Sequence, residues 1–235
     1  MERDIVILAA SEKNGDYCVA GIDVATGEWL RPYSSNHETK GAVPLKQITY
    51  ADGTHVKLFD VVRIDLLENC QNAMQPENFF YDETRRWSKV DKLSLDEVLS
   101  RHGTDDRVKI FFNAERSVIE TNLGAIKKRE SLLLVKATEL EIEIEPPPEI
   151  SRDQNRRYRL NFNYNDTHYK HFAIGDTRIR RYFEDKKIGT YPFADFNFVV
   201  FSLTDKFELN GKNYKVAAQF LGRNRKNASH GRRSS

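Results

Sequence analysis

The sequence predicts a mainly β protein of two small barrels with short inserted helices. Short strand-like runs recur on both sides of a proline-rich break, and many of them are bounded by Gly, Asn or Asp turn residues. Helix signals are confined to two short segments. Of the 235 residues, 39% are hydrophobic, which is enough to form a packed core. Closure into barrels removes the exposed edges that short open sheets would leave.

The first elements form a predicted three-stranded meander over residues 5–33. Residues 4–10 and 17–24 are strand-like, and the Asn-Gly-Asp sequence at 14–16 suits a tight turn between them. A third strand follows a second turn and ends at Pro32. These segments should therefore pair in order along the chain.

A short helix is predicted further along the first half. Ser94 and Glu97 have the spacing of a capping box, in which each side chain accepts a hydrogen bond from a free backbone donor at the helix start. The helix should extend to about Arg101, with Gly103 ending it. The last predicted strand of this half alternates apolar residues with glutamates, giving one acidic face. The remaining strands of this half are predicted at 61–67, 131–137 and 140–145.

The strand at 156–164 has two chemically different faces, because successive side chains of a strand alternate. An aromatic row at this spacing is typical of a barrel core, with a base-stacking platform as the alternative. The apolar face carries Tyr158, Leu160, Phe162 and Tyr164. The polar face carries Arg157, Arg159, Asn161 and Asn163.

The rest of the second half completes a barrel of about five strands. Asp176 should cap a helix that extends to about Lys186 and carries Arg178, Arg180 and Arg181. The Asn-Gly pair at 210–211 is a strong hairpin signal. Strands are predicted at 167–174, 196–203 and 214–221.

Three consecutive prolines at 146–148 predict a domain boundary, because proline favours extended, semi-rigid geometry. We therefore expect residues 1–145 and 150–221 to form separate cores. Residues 222–235 lack apolar periodicity and are expected to be a disordered basic tail.

Charge is unevenly distributed. Residues 1–145 hold 19 Lys and Arg against 26 Asp and Glu, a net −7. Residues 146–221 carry a net +4 and residues 222–235 a net +5. A basic C-terminal half favours a polyanionic partner, with a solvated basic surface as the alternative.

Several segments resemble a known family. Residues 5–11, 17–23 and 26–32 (IVILAAS, YCVAGID, TGEWLRP) resemble the opening of the dual OB-fold domain family of bacterial proteins. Residues 201–203 and 214–218 (FSL, YKVAA) resemble its close. The resemblance implies two OB-like barrels and, by analogy with other OB folds, binding of single-stranded nucleic acid. It implies no catalytic residues.

A single-strand binder needs cations for phosphates and aromatic faces for bases. The polar face of the 156–164 strand, the arginines of the second helix and an alternating Trp-Arg-Tyr set offer these groups. For the Trp-Arg-Tyr set the alternative is a packing cluster. The candidate nucleic-acid-binding residues are Arg156, Arg157, Arg159, Asn161, Asn163, Arg178, Arg181, Trp29, Arg31 and Tyr33.

Signals for catalysis, metal or cofactor are weak, so we predict none of the three. Cys18 and Cys70 do not form a Cys-x-x-Cys pair, and we expect small core or near-surface roles for both. His168 and His171 are three apart in a predicted strand, so without a bend they face opposite sides. A nuclease would need converging carboxylates, for which Asp60, Asp65, Glu68 and Asp82 are available.

The function we predict is non-catalytic binding of nucleic acid, single-stranded DNA or RNA, by a cytoplasmic protein. No apolar run approaches the ~20 residues of a membrane span, so we expect no membrane partner. One alternative is a protein-interaction module of a bacterial defence or mobile-element system. A small nuclease is the third hypothesis.

Overall fold

A computed structural model describes most of the chain as two packed β-barrels. The predicted turn residue Asn14 and the basic tail beyond Gly222 lie outside the described residues, so those two predictions stay open. The described residues are 1–13, 15–124, 126, 129–147 and 155–222.

The first barrel is a closed ring of five strands in the order β1-β2-β3-β5-β4, with β4 pairing back to β1. β3 and β5 are parallel, and the other neighbours are antiparallel. This is the Greek-key barrel that the OB resemblance implies. The strands are β1 (Glu2–Lys13), β2 (Asp16–Asp23), β3 (Trp29–Tyr33), β4 (Asp60–Asn69) and β5 (Asn78–Tyr81).

Two elements extend the first barrel. β6 (Ser88–Lys92) pairs with β4, and α1 (Leu95–His102) follows it. The predicted capping box is confirmed, since the Ser94 and Glu97 side chains each accept from the other residue's backbone N–H. Gly103 ends the helix at φ 70°, a value that favours glycine.

The second barrel contains the remaining eight strands and one helix. Its sheet follows the order β12-β9-β10-β11-β14-β13-β8, and β7 pairs with β14. The predicted helix between the strands at 167–174 and 196–203 is confirmed, although it ends earlier than expected, and β12 follows it where no strand was predicted. The elements are β7 (Ser117–Ile119), β8 (Leu132–Lys136), β9 (Thr138–Glu145), β10 (Arg157–Tyr164), β11 (Thr167–Ile174), α2 (Thr177–Tyr182), β12 (Gly189–Pro192), β13 (Phe198–Phe207) and β14 (Lys212–Leu221).

The second barrel closes through a bent segment formed by β8 and β9. Ala137 alone separates these two strands in the sequence. β8 pairs with β13, whereas β9 pairs with β10. The bend therefore joins the two ends of the sheet, and the segment acts as one strand of the ring.

The topology corrects the predicted domain boundary. β9 precedes the prolines and β10 follows them, yet the two pair directly from Arg157↔Glu145 to Asn163↔Thr138. The prolines at 146–148 thus belong to the connection between two adjacent strands of the second barrel. The strands of that barrel already begin before residue 145, so residues 1–145 and 150–221 do not form separate cores. A proline run ends a strand, and this is compatible with a loop inside a domain as well as a linker between domains.

Three apolar clusters hold the structure together. One fills the first barrel around Ile7 and Val62, and one fills the second around Phe162 and Phe201. The third lies between the barrels and contains Val6, Leu8, Ala20, Ile22, Leu132, Leu134, Phe198 and Val200. β1, β8 and β13 therefore bury both faces over part of their length, which explains their uninterrupted apolar runs at 5–10, 132–135 and 198–201.

Arg31 of β3 links the two barrels beside the third cluster. It is 8% exposed, and its guanidinium donates to Oδ1 of Asn78 at 3.1 Å in its own barrel. It also donates to Oγ of Ser131 at 3.2 Å and to Oγ of Ser202 at 3.0 Å in the second. Glu77 completes the network by accepting from both the N–H and the hydroxyl of Ser131 at 2.7 Å.

Replacing Phe162 by alanine should lower the free energy of unfolding by about 3–5 kcal/mol, since it empties a buried aromatic position. The ring is fully buried and stacks on Tyr169 and Phe201 with centroids 4.9 Å apart. Urea denaturation measures the change. The matched Phe207→Ala variant, at a ring 49% exposed, should lose about 1 kcal/mol or less. Equal losses in the two variants would contradict the assignment.

Replacing Arg31 by alanine should cost about 3 kcal/mol, because three buried oxygen acceptors lose their charged donor. Denaturation of the purified variant provides the measurement. Arg63→Ala is the control, because Arg63 forms an exposed ion pair with Asp4 and should contribute less than about 1 kcal/mol. A small loss at Arg31 would show that the network does not hold the barrels together.

Candidate functional site

The polar face of β10 lies beside the acidic face of β9. The register places these faces on one side of the sheet, so each donor of β10 meets a glutamate of β9. Arg157, at the start of the strand, is exposed and lies opposite Glu145. The hydrogen-bonded pairs are Arg159–Glu145, Asn161–Glu143 and Asn163–Glu139, with donor–acceptor distances of 3.2, 3.3 and 2.6 Å. This surface therefore carries both signs of charge.

A bulge in β11 brings a histidine to the same glutamates. The pairing of β10 and β11 shifts register between Leu160 and Phe162, and His171 adopts a left-handed φ of 58°. Its Nδ1 lies 3.1 Å from Oε2 of Glu143 and 3.4 Å from Oε1 of Glu145. Strict alternation of side chains does not allow for such a bulge, which brings His171 to the side of the sheet that carries the glutamates.

The two histidines of β11 have different partners. Nδ1 of His168 lies 2.6 Å from Oδ1 of Asn163. His171 instead contacts the two glutamates, and its backbone N–H donates to Oδ1 of Asn161 at 2.8 Å. Asn161 is buried and thereby fixes the position of the bulge.

The predicted Trp-Arg-Tyr set does not form one open surface. Nε1 of Trp29 donates to Oδ2 of Asp105 at 3.1 Å, and the same oxygen accepts from the N–H of Leu134. Tyr33 packs edge-on against Phe80 with centroids 6.2 Å apart. The arginine between them is buried between the barrels. These positions agree with packing, which was the alternative interpretation.

The predicted arginines of α2 belong to a basic surface at one end of the second barrel, which we call the α2 surface. Asp176 caps the helix as predicted and pairs with Arg178 at 2.6 Å. Nη1 of Arg156 donates to the carbonyl of Lys186 at 2.7 Å, which joins the start of β10 to this surface. The exposed cations are Arg156, Arg178, Arg180, Arg181, Lys186 and Lys187. The exposed anions are Glu184, Asp185 and Asp195.

An aromatic side chain and the start of the basic tail accompany these cations. Tyr182 is 60% exposed, and its ring packs against Phe193 at a centroid distance of 5.7 Å. Phe193 in turn contacts Phe196. Gly222 lies so close to Phe196 that an added Cβ would fall 2.8 Å from the ring. Gly222, the last described residue, therefore packs on the aromatic group that includes Tyr182.

A cleft of about 900 Å³ lies between the two barrels. The first barrel contributes Arg31 and Tyr33 to its wall, and the second contributes Phe207 and Tyr214. Phe207 is half exposed, and Leu209 at the tip of the hairpin is 88% exposed. The cleft has an apolar rim that sequence periodicity did not reveal.

Lys215 is a buried cation that sequence analysis missed. Its ammonium donates to the carbonyls of Ile110 and Asn113 and, at 2.8 Å, to Oδ1 of Asn113. Burial lowers the pKa of Lys215 to about 7. Its donors hold the turn in which Phe111 and Phe112 adopt positive φ values of 43° and 70°. Since three oxygens occupy the ammonium, the role of Lys215 is structural.

Two of the four carboxylates available for a nuclease, Asp60 and Asp65, have structural partners. Asp60 is buried and accepts from the hydroxyl of Tyr50 and from Nζ of Lys89. Asp65 pairs with Arg85. Neither cysteine forms a disulfide within the described residues, and burial raises the pKa of Cys70 to about 11. These groups show no catalytic arrangement within the described residues.

Comparisons with known proteins identify the family. Within the described residues, no helix has the length and apolar character needed to cross a membrane. Neither the curated proteins nor the solved structures contain a significant match to the chain. The family model described as a dual OB-containing domain matches residues 3–220, which spans both barrels. The chain therefore belongs to the family of dual OB-containing domains.

Proposed function

We propose that this protein binds single-stranded nucleic acid, DNA or RNA, through the α2 surface of its second barrel. The observation that carries the proposal is the combination of five exposed cations, besides the Arg178–Asp176 ion pair, against three exposed anions, with the exposed ring of Tyr182. OB folds bind nucleic acid or protein in general. The charge and the aromatic ring of this surface favour the nucleic acid.

Phosphate contacts are the first requirement. Arg180 and Arg181 are exposed on α2, and the exposed Lys186 and Lys187 follow shortly after the end of this helix. Arg156 adds a cation at the end of the loop between β9 and β10. In OB folds the corresponding loop, between the first two strands of the barrel, contributes to ligand binding. The cations therefore lie where the phosphate backbone of a bound nucleic-acid strand would pass.

Base stacking is the second requirement. The ring of Tyr182 is held at its edge by Phe193 and at its hydroxyl by Asp195, which accepts a hydrogen bond at 3.1 Å. A ring that is fixed yet exposed stacks a base with little loss of side-chain entropy. Stacking requires unpaired bases, so this surface selects single strands.

The β10 face is less suited to a polyanion. Its donors Arg159, Asn161 and Asn163 are engaged by glutamates, and the negative charges of β9 would repel phosphates. Of the predicted binding residues, we therefore retain Arg156 and Arg181 in the proposed site, whereas Asp176 engages the guanidinium of Arg178.

The protein should bind labelled single-stranded oligonucleotides in a salt-dependent manner. Three or four phosphate contacts should give a slope of about −2 to −3 in log affinity against log salt, since each contributes about −0.7. Fluorescence anisotropy with oligo-dT and oligo-U at several salt concentrations measures it.

The charge reversal Arg180→Glu with Arg181→Glu should abolish most of this binding. Arg63→Glu with Arg85→Glu is the matched control, because it makes the same change of charge at exposed positions of the first barrel. Absence of binding by the unaltered protein at low salt would refute the proposal. Equal losses in both variants would remove the α2 surface from it.

Deleting residues 223–235 should weaken binding mainly at low salt, because the segment contributes five positive charges and no negative ones. The melting temperature should stay nearly constant. Anisotropy and thermal denaturation of the truncated chain test both statements. A large fall in melting temperature would show that the segment packs on the barrel.

Recognition of an apolar protein segment is the second candidate function. The exposed Phe207 and Leu209 beside the inter-barrel cleft favour it, because apolar rims of this kind occur at protein interfaces. Failure of oligonucleotide binding, together with a folded protein, would move this candidate to first place.

A further inference from the structure

The geometry points to a divalent metal site on the outer face of the second barrel, formed by Glu143, Glu145 and His171. We propose that these residues bind a transition-metal ion of the Zn²⁺ class. This inference does not depend on nucleic-acid binding, because its residues belong to β9 and β11 and not to the α2 surface.

The three side chains converge in a manner that suits one ion. Each offers a ligand atom, and these three atoms lie within 4.8 Å of one another. Among the described residues, this is the one group of His, Cys, Asp or Glu side chains with such a spacing. Nδ1 of His171 is 3.1 Å and 3.4 Å from the two carboxylate oxygens. Ligands about 2.0–2.2 Å from a tetrahedral ion are separated by roughly 3.3–3.5 Å.

The imidazole nitrogen supplies a second, independent observation. The imidazole of His171 is 42% exposed, but its Nδ1 atom has almost no exposure to solvent and, although close to both carboxylates, makes no hydrogen bond of acceptable geometry within the described structure. Buried polar atoms normally have a partner. A cation placed between the imidazole and the two carboxylates would satisfy this nitrogen and neutralise both negative charges.

Neighbouring side chains hold the ligands in place. Arg159 donates to Oε2 of Glu145, which leaves Oε1 directed to the histidine side of the group. Asn161 donates to Glu143 and accepts from the backbone N–H of His171. Such outer partners orient ligands and strengthen metal binding. Two carboxylates and one imidazole form the type of ligand set that zinc takes, with water in the remaining position.

Titration calorimetry of the full chain with ZnCl₂, without nucleic acid, tests the site. The expected result is one tight site whose affinity falls at least about tenfold in Glu143→Gln and in His171→Asn. Asparagine is chosen because it tolerates the left-handed backbone of residue 171 better than alanine does. Circular dichroism of each variant verifies that the fold is retained.

Two variants serve as matched controls. His168→Asn removes the other histidine of β11, and Glu139→Gln removes another glutamate of β9, so both should retain zinc affinity within about twofold of the unaltered chain. Zinc should also raise the melting temperature of the unaltered chain and of both controls. Absence of zinc binding, or equal affinity in the His171→Asn and His168→Asn variants, would overturn the proposal and leave an ion pair among the three residues.

Discussion

The packing of two barrels through strands that are buried on both faces is the constraint on which the rest of the structure depends. In β1, Ile5 and Ile7 point into the first barrel, while Val6 and Leu8 enter the cluster between the barrels. β8 and β13 divide their side chains in the same way. Since these strands serve two cores at once, neither barrel can move without exposing apolar surface. The barrels therefore behave as one folding unit, and Arg31 reaches across it to hydrogen-bond both serines.

Local signals in the sequence predicted the local structure well. The Ser94 capping box, the Asp176 cap and the Asn-Gly hairpin each depend on residues a few positions apart, and each is present. The predicted domain boundary was wrong because it depends on pairing between strands that are far apart in the sequence. The prolines do interrupt a strand, but whether the next strand returns to the same sheet is decided by long-range pairing. β8, whose partner β13 lies more than sixty residues away, gave no local sign that it belongs to the second barrel.

The same distinction between local signals and long-range pairing applies to the candidate site. Alternation correctly separated the aromatic core of β10 from its polar face, since Phe162 is buried and Arg157 is exposed. The acidic face of β9 was visible in the sequence as well. The sequence did not show that the polar face of β10 and the acidic face of β9 lie side by side. Cross-strand neighbours depend on register, and register depends on the whole sheet. The bulge at His171 brings to the glutamates of β9 a histidine that strict alternation places on the other face.

Opposite charges thus occupy separate surfaces of one small barrel. Glu139, Glu143 and Glu145 engage the donors of β10 and leave a face suited to a cation. A few residues earlier, Arg156 turns to the carbonyl of Lys186 and joins the basic α2 surface. The start of β10 therefore contributes to both surfaces, Arg159 on the acidic side and Arg156 on the basic side. If a polyanion binds the α2 surface as proposed, the carboxylates of β9 repel it on one side and restrict the direction in which a bound strand can leave the surface.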